Sequence, residues 1–364
     1  MKASFRHIAA LAALLVLLSG CNTIWSGIDG TMSELTLSIT VSDTPASPMS
    51  RGAGTRAISL NPDDFTAPVH DGEKMRSLRI IIVRPDGTVE HNRYLDFTGS
   101  AKGAYITVDN ICFEVYGPEK KQIYLFANEF VKISAEGGTR KIVDFDLGAI
   151  TPGSMFPETK LEELKISLTS AEEQLPSEAL PMSECHSISM PAEDYSTELY
   201  VTRAATKFTF LLDNSSSREH SLSEISISKG SNIEYYLPRI SYIGSPSGGS
   251  FSVDDYTVPN TGDNNNYYIF RYNCPGTIVA AGTTGRLDAI YLLEGKYTDA
   301  NDKRNYSMTA TIDGVVYEEY FPNLSQLPRN THVVVCLSIR DYEVLWDVKV
   351  YPYGEIWLNP GFGQ

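Results

Sequence analysis

Apolar and polar residues alternate in short stretches along most of this chain, and the alternation repeats every two residues. Over residues 35–41, Leu35, Leu37, Ile39 and Val41 face one way and Thr36, Ser38 and Thr40 the other, the pattern of a half-buried strand. Further strands are predicted at 78–83 (before the turn Pro85-Asp86-Gly87), 104–108, 111–116, 122–127, 141–147 and 164–168, with a short helix at 158–163. A polar, Pro-marked stretch, 174–196, precedes a long strand prediction over 198–212, where Phe208, Phe210 and Leu212 alternate with Lys207, Thr209 and Leu211. Strands then recur near 223–228, 233–237, 267–272, 287–293, 306–312, 315–320, 332–339 and 344–350. In the last, Val344, Trp346, Val348 and Val350 share one face; the turn Tyr351–Gly354 and a further apolar pair, Ile356 and Leu358, follow. Short strands at this spacing predict an all-β protein made of two β-sandwich domains in tandem, divided near residue 197.

The N-terminus follows a different pattern. Lys2 and Arg6 precede an apolar run from Ile8 to Leu18, too short to cross a bilayer, and Leu18-Ser19-Gly20-Cys21 follows. Residues 1–20 therefore read as a signal peptide, and Leu-small-small-Cys resembles the bacterial lipobox, which makes Cys21 the expected lipidated N-terminus. Removing residues 1–20 leaves 344 residues and, with the loss of Lys2 and Arg6, shifts the net charge from −15 to −17. Nucleic-acid phosphates would repel such a chain, so no nucleic-acid partner is expected. Cys112 and Cys336, lying in apolar strands, read as buried free thiols, and a Cys185–Cys274 bridge is disfavoured.

Catalytic patterns are missing. No two His stand at metal-ligand spacing, Gly244-Ser245-Pro246-Ser247-Gly248 has Pro where a nucleophile would sit, and no Gly-rich phosphate loop follows a strand. Asp63-Asp64 and Asp254-Asp255 read as solvated loop charge, and the clusters Asp299–Asp302 and Asp263–Asn266 lack a complete calcium-loop signature. No enzyme activity, cofactor or metal is expected.

The ends of the chain suggest mechanics instead. Strand 35–41 is followed by a Ser/Pro/Gly/Thr-rich stretch, 42–57, that carries Arg51 and Arg56, the kind of loop that proteases nick. A cut after either arginine would free the strand. The groove left behind, with unpaired backbone and apolar pockets at every second residue, could accept a neighbour's C-terminal strand. The alternative is that 35–41 is a permanent strand and that 343–358 closes its own sheet.

Several stretches, in this order, resemble the fimbrillin superfamily, the lipoprotein-precursor subunits of type V pili in Bacteroidales. They are the lipobox at Cys21, Ile123-Tyr124-Leu125-Phe126-Ala127-Asn128-Glu129, Leu180-Pro181-Met182-Ser183, Val201-Thr202-Arg203-Ala204-Ala205-Thr206-Lys207 and Pro328-Arg329-Asn330-Thr331-His332-Val333. The resemblance implies two transthyretin-like (Greek-key) sandwiches. It also implies cleavage by an Arg-specific protease after Arg51 or Arg56, and donor-strand polymerisation through 343–364 with other fimbrial subunits. The implied division is signal peptide 1–20, removable strand and loop 21–56, sandwiches 57–197 and 198–342, and donor hairpin 343–364. The implied location is the outer membrane, through the lipid, and then a surface fimbrium. A stalk or tip role in adhesion to a host or glycan ligand is expected, with the loops between 240 and 286, on their length alone, as candidate contacts; the alternatives are a lipid-retaining anchor subunit or a surface glycan-binding lipoprotein.

Overall fold

The computed structural model describes residues 30–42, 71–135, 138–170, 173–244, 251–256, 267–296, 306–321 and 326–352. Cys21, Arg51, Arg56, Ile356, Leu358, the loop segments 245–249 and 260–266, and the clusters Asp299–Asp302 and Asp263–Asn266 lie outside them. The described chain is all-β apart from isolated helical turns such as Glu158–Glu162.

The first sheet contains β1 (Thr31–Val41), β2 (Ser77–Val83), β3 (Val89–Asp96), β4 (Thr107–Gly117), β5 (Glu119–Ala127), β6 (Met182–Met190) and β7 (Tyr195–Arg203). Its seven strands run in the order β3-β2-β5-β6-β7-β1-β4. The ladder is shortest between β6 and β7, which pair only through Thr202 with Ser183 and Arg203 with Met182. Beyond that point the His186 imidazole Nε2 lies 2.7 Å from the Tyr200 carbonyl and holds the strands together by a side chain. The result is two layers, β3-β2-β5-β6 and β7-β1-β4, which bury Ile80, Ile82, Leu125, Leu35, Leu37, Ile39, Phe113 and Val201 in one core. The opposite seam, between β3 and β4, is also closed by side chains. The His91 Nε2 lies 2.7 Å from the Glu114 carbonyl, Arg93 donates to the Cys112 carbonyl, and the Tyr116 N–H donates to Glu90 at 2.6 Å.

The sequence reading joins 198–212 into one strand, but the structure has β7 and then β8 (Thr206–Asn214), separated by Ala204-Ala205. An unbroken apolar run gives no signal of such a break. β8 belongs to a second group of sheets with β9 (His220–Ser231), β10 (Tyr267–Val279), β11 (Thr283–Arg286), β12 (Ile290–Leu292), β13 (Tyr306–Ile312), β14 (Val315–Phe321), β15 (Thr331–Ile339) and β16 (Val344–Pro352). One sheet runs β11-β8-β15-β16, with β12 also on β8, and the other β10-β9-β13-β14. Phe208, Phe210, Val333, Val335 and Leu337 from the first meet Leu222, Ile225, Phe270, Met308 and Ile312 from the second in a separate core. Tyr236, Leu237, Tyr291 and Leu293, although later in sequence than Thr206, pack into the first core.

Cys112 corrects a sequence expectation. The core-facing positions of β4 are Ile111, Phe113 and Val115, so strand alternation turns Cys112 outward, where it is exposed. Cys336 is buried as expected, and Cys112, Cys185 and Cys274 are free thiols.

Candidate strand-exchange site

β1 is the middle strand of its three-stranded layer. It runs parallel to β7, with Leu35 opposite Tyr195 and Val41 opposite Val201, and antiparallel to β4, with Leu35 opposite Phe113 and Leu37 opposite Ile111. Leu35, Leu37 and Ile39 are fully buried and Val41 nearly so. Thr36, Ser38 and Thr40 lie on the other face and meet β4 through polar contacts, among them Ser38 with Asp109 and Thr40 with Thr107. The register on β4 shifts between Leu37 and Ile39, and Asn110 beside the shift adopts a left-handed backbone, φ 58°. Since β4 ends the sheet, β1 supplies all of its ladder pairing within it.

The C-terminal strand β16 is built differently. It pairs antiparallel with β15 from Ile339 opposite Val344 to Thr331 opposite Pro352, and it forms the edge of its sheet. Trp346 is buried against the second core, Val344 and Val348 pack against it half-buried, and Val350 pairs with Val333. Of the residues read as strand-exchange positions, Leu35, Leu37, Ile39 and Val41 thus share one buried face. Val344, Trp346, Val348 and Val350 lie along one edge strand in the second group of sheets.

The residue after β1 enters a buried polar cluster that the sequence reading does not anticipate. The Ser42 N–H donates to the Val201 carbonyl at 2.8 Å, and the Ser42 carbonyl accepts from Arg203 Nη1 at 3.2 Å and Asn330 Nδ2 at 2.7 Å. Arg203 also donates to the Asn330 Oδ1 and the Glu73 carbonyl, both at 2.9 Å. Glu73 pairs with Lys207 at 2.7 Å and accepts from the Tyr291 hydroxyl at 2.6 Å. Burial raises the Glu73 carboxyl, but Lys207, Tyr291 and Arg203 outweigh it and hold the group below its ordinary value. Arg329, fully buried, pairs with Glu294 at 2.6 Å and donates to the Tyr235 and Tyr236 carbonyls. Burial and the neighbouring Glu294 push the Glu234 carboxyl well above its ordinary value.

The short motifs behind the family resemblance meet around this cluster. Asn128, at φ 58°, donates to the Leu180 and Lys74 carbonyls and accepts from the Arg76 N–H, while Glu129 pairs with Arg79. Ala204 donates to the Pro181 carbonyl, Ser183 to the Tyr236 carbonyl, Asn330 to the Ala205 carbonyl and Thr206 to the Pro328 carbonyl. The signal available in the sequence was the set of charged residues, Arg203, Lys207 and Arg329, inside otherwise apolar stretches.

No cluster of His, Cys, Asp and Glu able to hold a metal occurs among the described residues, and no helix there is long and apolar enough to cross a membrane. No family model matches the chain, and no curated protein matches it by sequence. Solved structures do match. The tip fimbrial protein Mfa3 from Porphyromonas gingivalis, with a C-terminal truncation, superposes at TM-score 0.51 with 13% identity, over 88% of this chain and 99% of that one. A candidate cell adhesion protein from Parabacteroides distasonis superposes at TM-score 0.50 with 14% identity, over 89% and 98%. At this identity the likeness is one of fold, and the fold that this chain shares with a tip fimbrial protein and a candidate adhesion protein of the Bacteroidales is the all-β fold that the fimbrillin resemblance implies.

Proposed function

We propose that this chain is a non-enzymatic structural subunit, stalk or tip, of a surface fimbria with a role in adhesion. It is exported as a lipoprotein through Cys21 and held at the outer membrane by that lipid. An Arg-specific protease cuts after Arg51 or Arg56, and the subunits polymerise when the 343–364 segment of one copy replaces β1 of another. The domain division at residues 57–197 and 198–342 belongs to the same proposal, as does a host or glycan ligand for the mature fimbria.

The observation that carries the reading is the position of β1: a middle strand, drawn from the extreme N-terminal part of the fold, that fills its core with four consecutive inward side chains. Exposing them would cost about 1.5–3 kcal/mol each, so roughly 6–12 kcal/mol together. That is comparable to the whole stability of a typical domain, about 5–15 kcal/mol. A subunit that lost β1 would therefore need another strand in its place. The fold shared with a tip fimbrial protein supports the reading at the level of architecture.

The test is brief trypsin treatment of the chain beginning at Cys21. Ladders resistant to SDS should appear, with new N-termini at Gly52 or Ala57. Deleting 353–364 should shorten or abolish them; this deletion is preferable to removing 343–364, which also takes away Trp346 and the edge strand of the second core. A cut chain that stays monomeric overturns the polymerisation reading, and surface-isolated protein still lipidated at Cys21 assigns the anchor role instead.

A further inference from the structure

Arg329 stands where the two cores meet. It lies between Leu327, in the second core, and the start of β15, and it donates to the Tyr235 and Tyr236 carbonyls at 2.6 and 3.0 Å. Tyr236 packs into the first core, its ring 5.3 Å from that of Phe126. Two carboxyls reach the same guanidinium. Glu294 follows Leu293 of the first core, and Glu234 belongs to a short ribbon in which Ile233–Tyr235 pairs with Lys165–Ser167. Arg329, Glu234 and Glu294 are each at most 2% exposed.

The charges at this point do not balance. Glu294 is well supplied: its Oε2 accepts the Arg329 N–H at 2.9 Å and its Oε1 accepts from Arg329 Nε at 2.6 Å. Glu234 has less. Its Oε1 accepts the Tyr235 N–H at 2.7 Å and stands 3.5 Å from Arg329 Nη2. Its Oε2 is buried, meets no donor, and faces the Glu294 carboxyl. Lys165 and Arg239 lie against the Tyr235 ring, which alternation places on the opposite face of the ribbon from Glu234. Among the described residues, one cation thus serves two buried carboxyls. Two carboxylates in contact at a dry site cannot both ionise. A proton on Glu234 Oε2 removes the excess charge and turns that atom into a donor to Glu294, whose own oxygens already hold the guanidinium.

We propose that Glu234 and Glu294 share one proton beside Arg329, and that this proton is a pH-sensitive lock on the junction between the two cores. The unfolded chain releases it above about pH 4.3, whereas the folded chain keeps it. Its stabilisation is therefore complete in acid and is lost as the pH rises through the value at which folded Glu234 ionises. Loss of the proton sets two buried negative charges against each other, beside the Arg329 contacts to Tyr235 and Tyr236 and next to Asn330. The repulsion acts at the junction, so rising pH loosens the tie between the cores.

The test compares the chain beginning at Cys21 with its Glu234→Gln variant, in which an amide donates to Glu294 and cannot ionise. From urea unfolding, the unfolding constant of the unsubstituted chain, divided by that of the variant, should rise about tenfold per pH unit from pH 5 upward and level off where Glu234 gives up its proton. A ratio that stays constant from pH 5 to 8 overturns the shared proton. Hydrogen exchange at the Tyr236 and Asn330 amides, corrected for its intrinsic pH dependence, should quicken by the same factor relative to the variant. Equal behaviour of these amides in both chains overturns the placement at the junction. Where the variant does not fold, the infrared spectrum of the unsubstituted chain decides. A protonated carboxyl band should persist at pH 7, at which ordinary carboxyls are ionised, and its absence overturns the proposal.

Discussion

His332 shows how one buried side chain shapes stability. Its Nε2 lies 2.9 Å from the Thr209 hydroxyl, and burial, with Lys207 and Arg286 nearby, pushes its pKa down to about 3, although Glu73 opposes the shift. The folded state thus keeps His332 neutral where the unfolded chain would protonate it at about 6.5. The unfolded state binds more protons between these values, so this group's contribution is complete above about pH 6.5 and is lost as the pH falls toward 3. Going from pH 7 to 5 should cost roughly 2 kcal/mol through this residue. Urea unfolding at the two pH values, with and without His332→Gln, checks it: the substitution should flatten the pH dependence, and an unchanged slope refutes the assignment. None of this was legible in the sequence. His332 stands in an apolar stretch like any strand residue, and the groups that set its titration reach it from strands that meet only in the folded sheet.

Among the elements, β1 was the most legible, because its alternation is uninterrupted and each face has a single environment. The strand therefore predicts its own mutational asymmetry. Leu37→Ala should cost about 2–5 kcal/mol through loss of buried contacts and the cavity it leaves. Thr36→Ala, on the opposite face, should change stability by less than about 1 kcal/mol. Thermal unfolding of the two variants measures this, and equal losses would refute the layer as described. β4 was read as two strands, 104–108 and 111–116; it is one strand whose register shifts beside Asn110, and a bulge interrupts the apolar pattern just as a turn does. The β7–β8 break failed in the opposite way, since Ala204 and Ala205 are as apolar as their neighbours. The polar cluster escaped detection because its pairs are far apart in sequence, with Arg203 and Asn330 separated by 127 residues and Glu73 and Tyr291 by 218.

At the scale of the molecule, the two cores are joined by more than the chain passing between them. Glu73 reaches Lys207 on β8, Arg203 on β7 reaches Asn330 before β15, and Tyr236 and Tyr291 pack into the first core from beyond the β7–β8 junction. Removing one partner from such buried ion pairs typically costs about 3–5 kcal/mol. The described halves should therefore melt together: calorimetry of the intact chain should give one cooperative transition, and two well-separated peaks would refute the coupling. The sequence pattern showed many strands and a division of the chain but not this interlocking. The pairing of β1 with β7 also has a consequence in time. Leu35 meets Tyr195, so β1 must wait for about 160 further residues to be made before its layer can close. At roughly 5–20 residues per second that interval lasts about 10–30 s. During biogenesis β1 is thus made well before the strand that covers it, and its four inward apolar side chains stay unsealed for that interval.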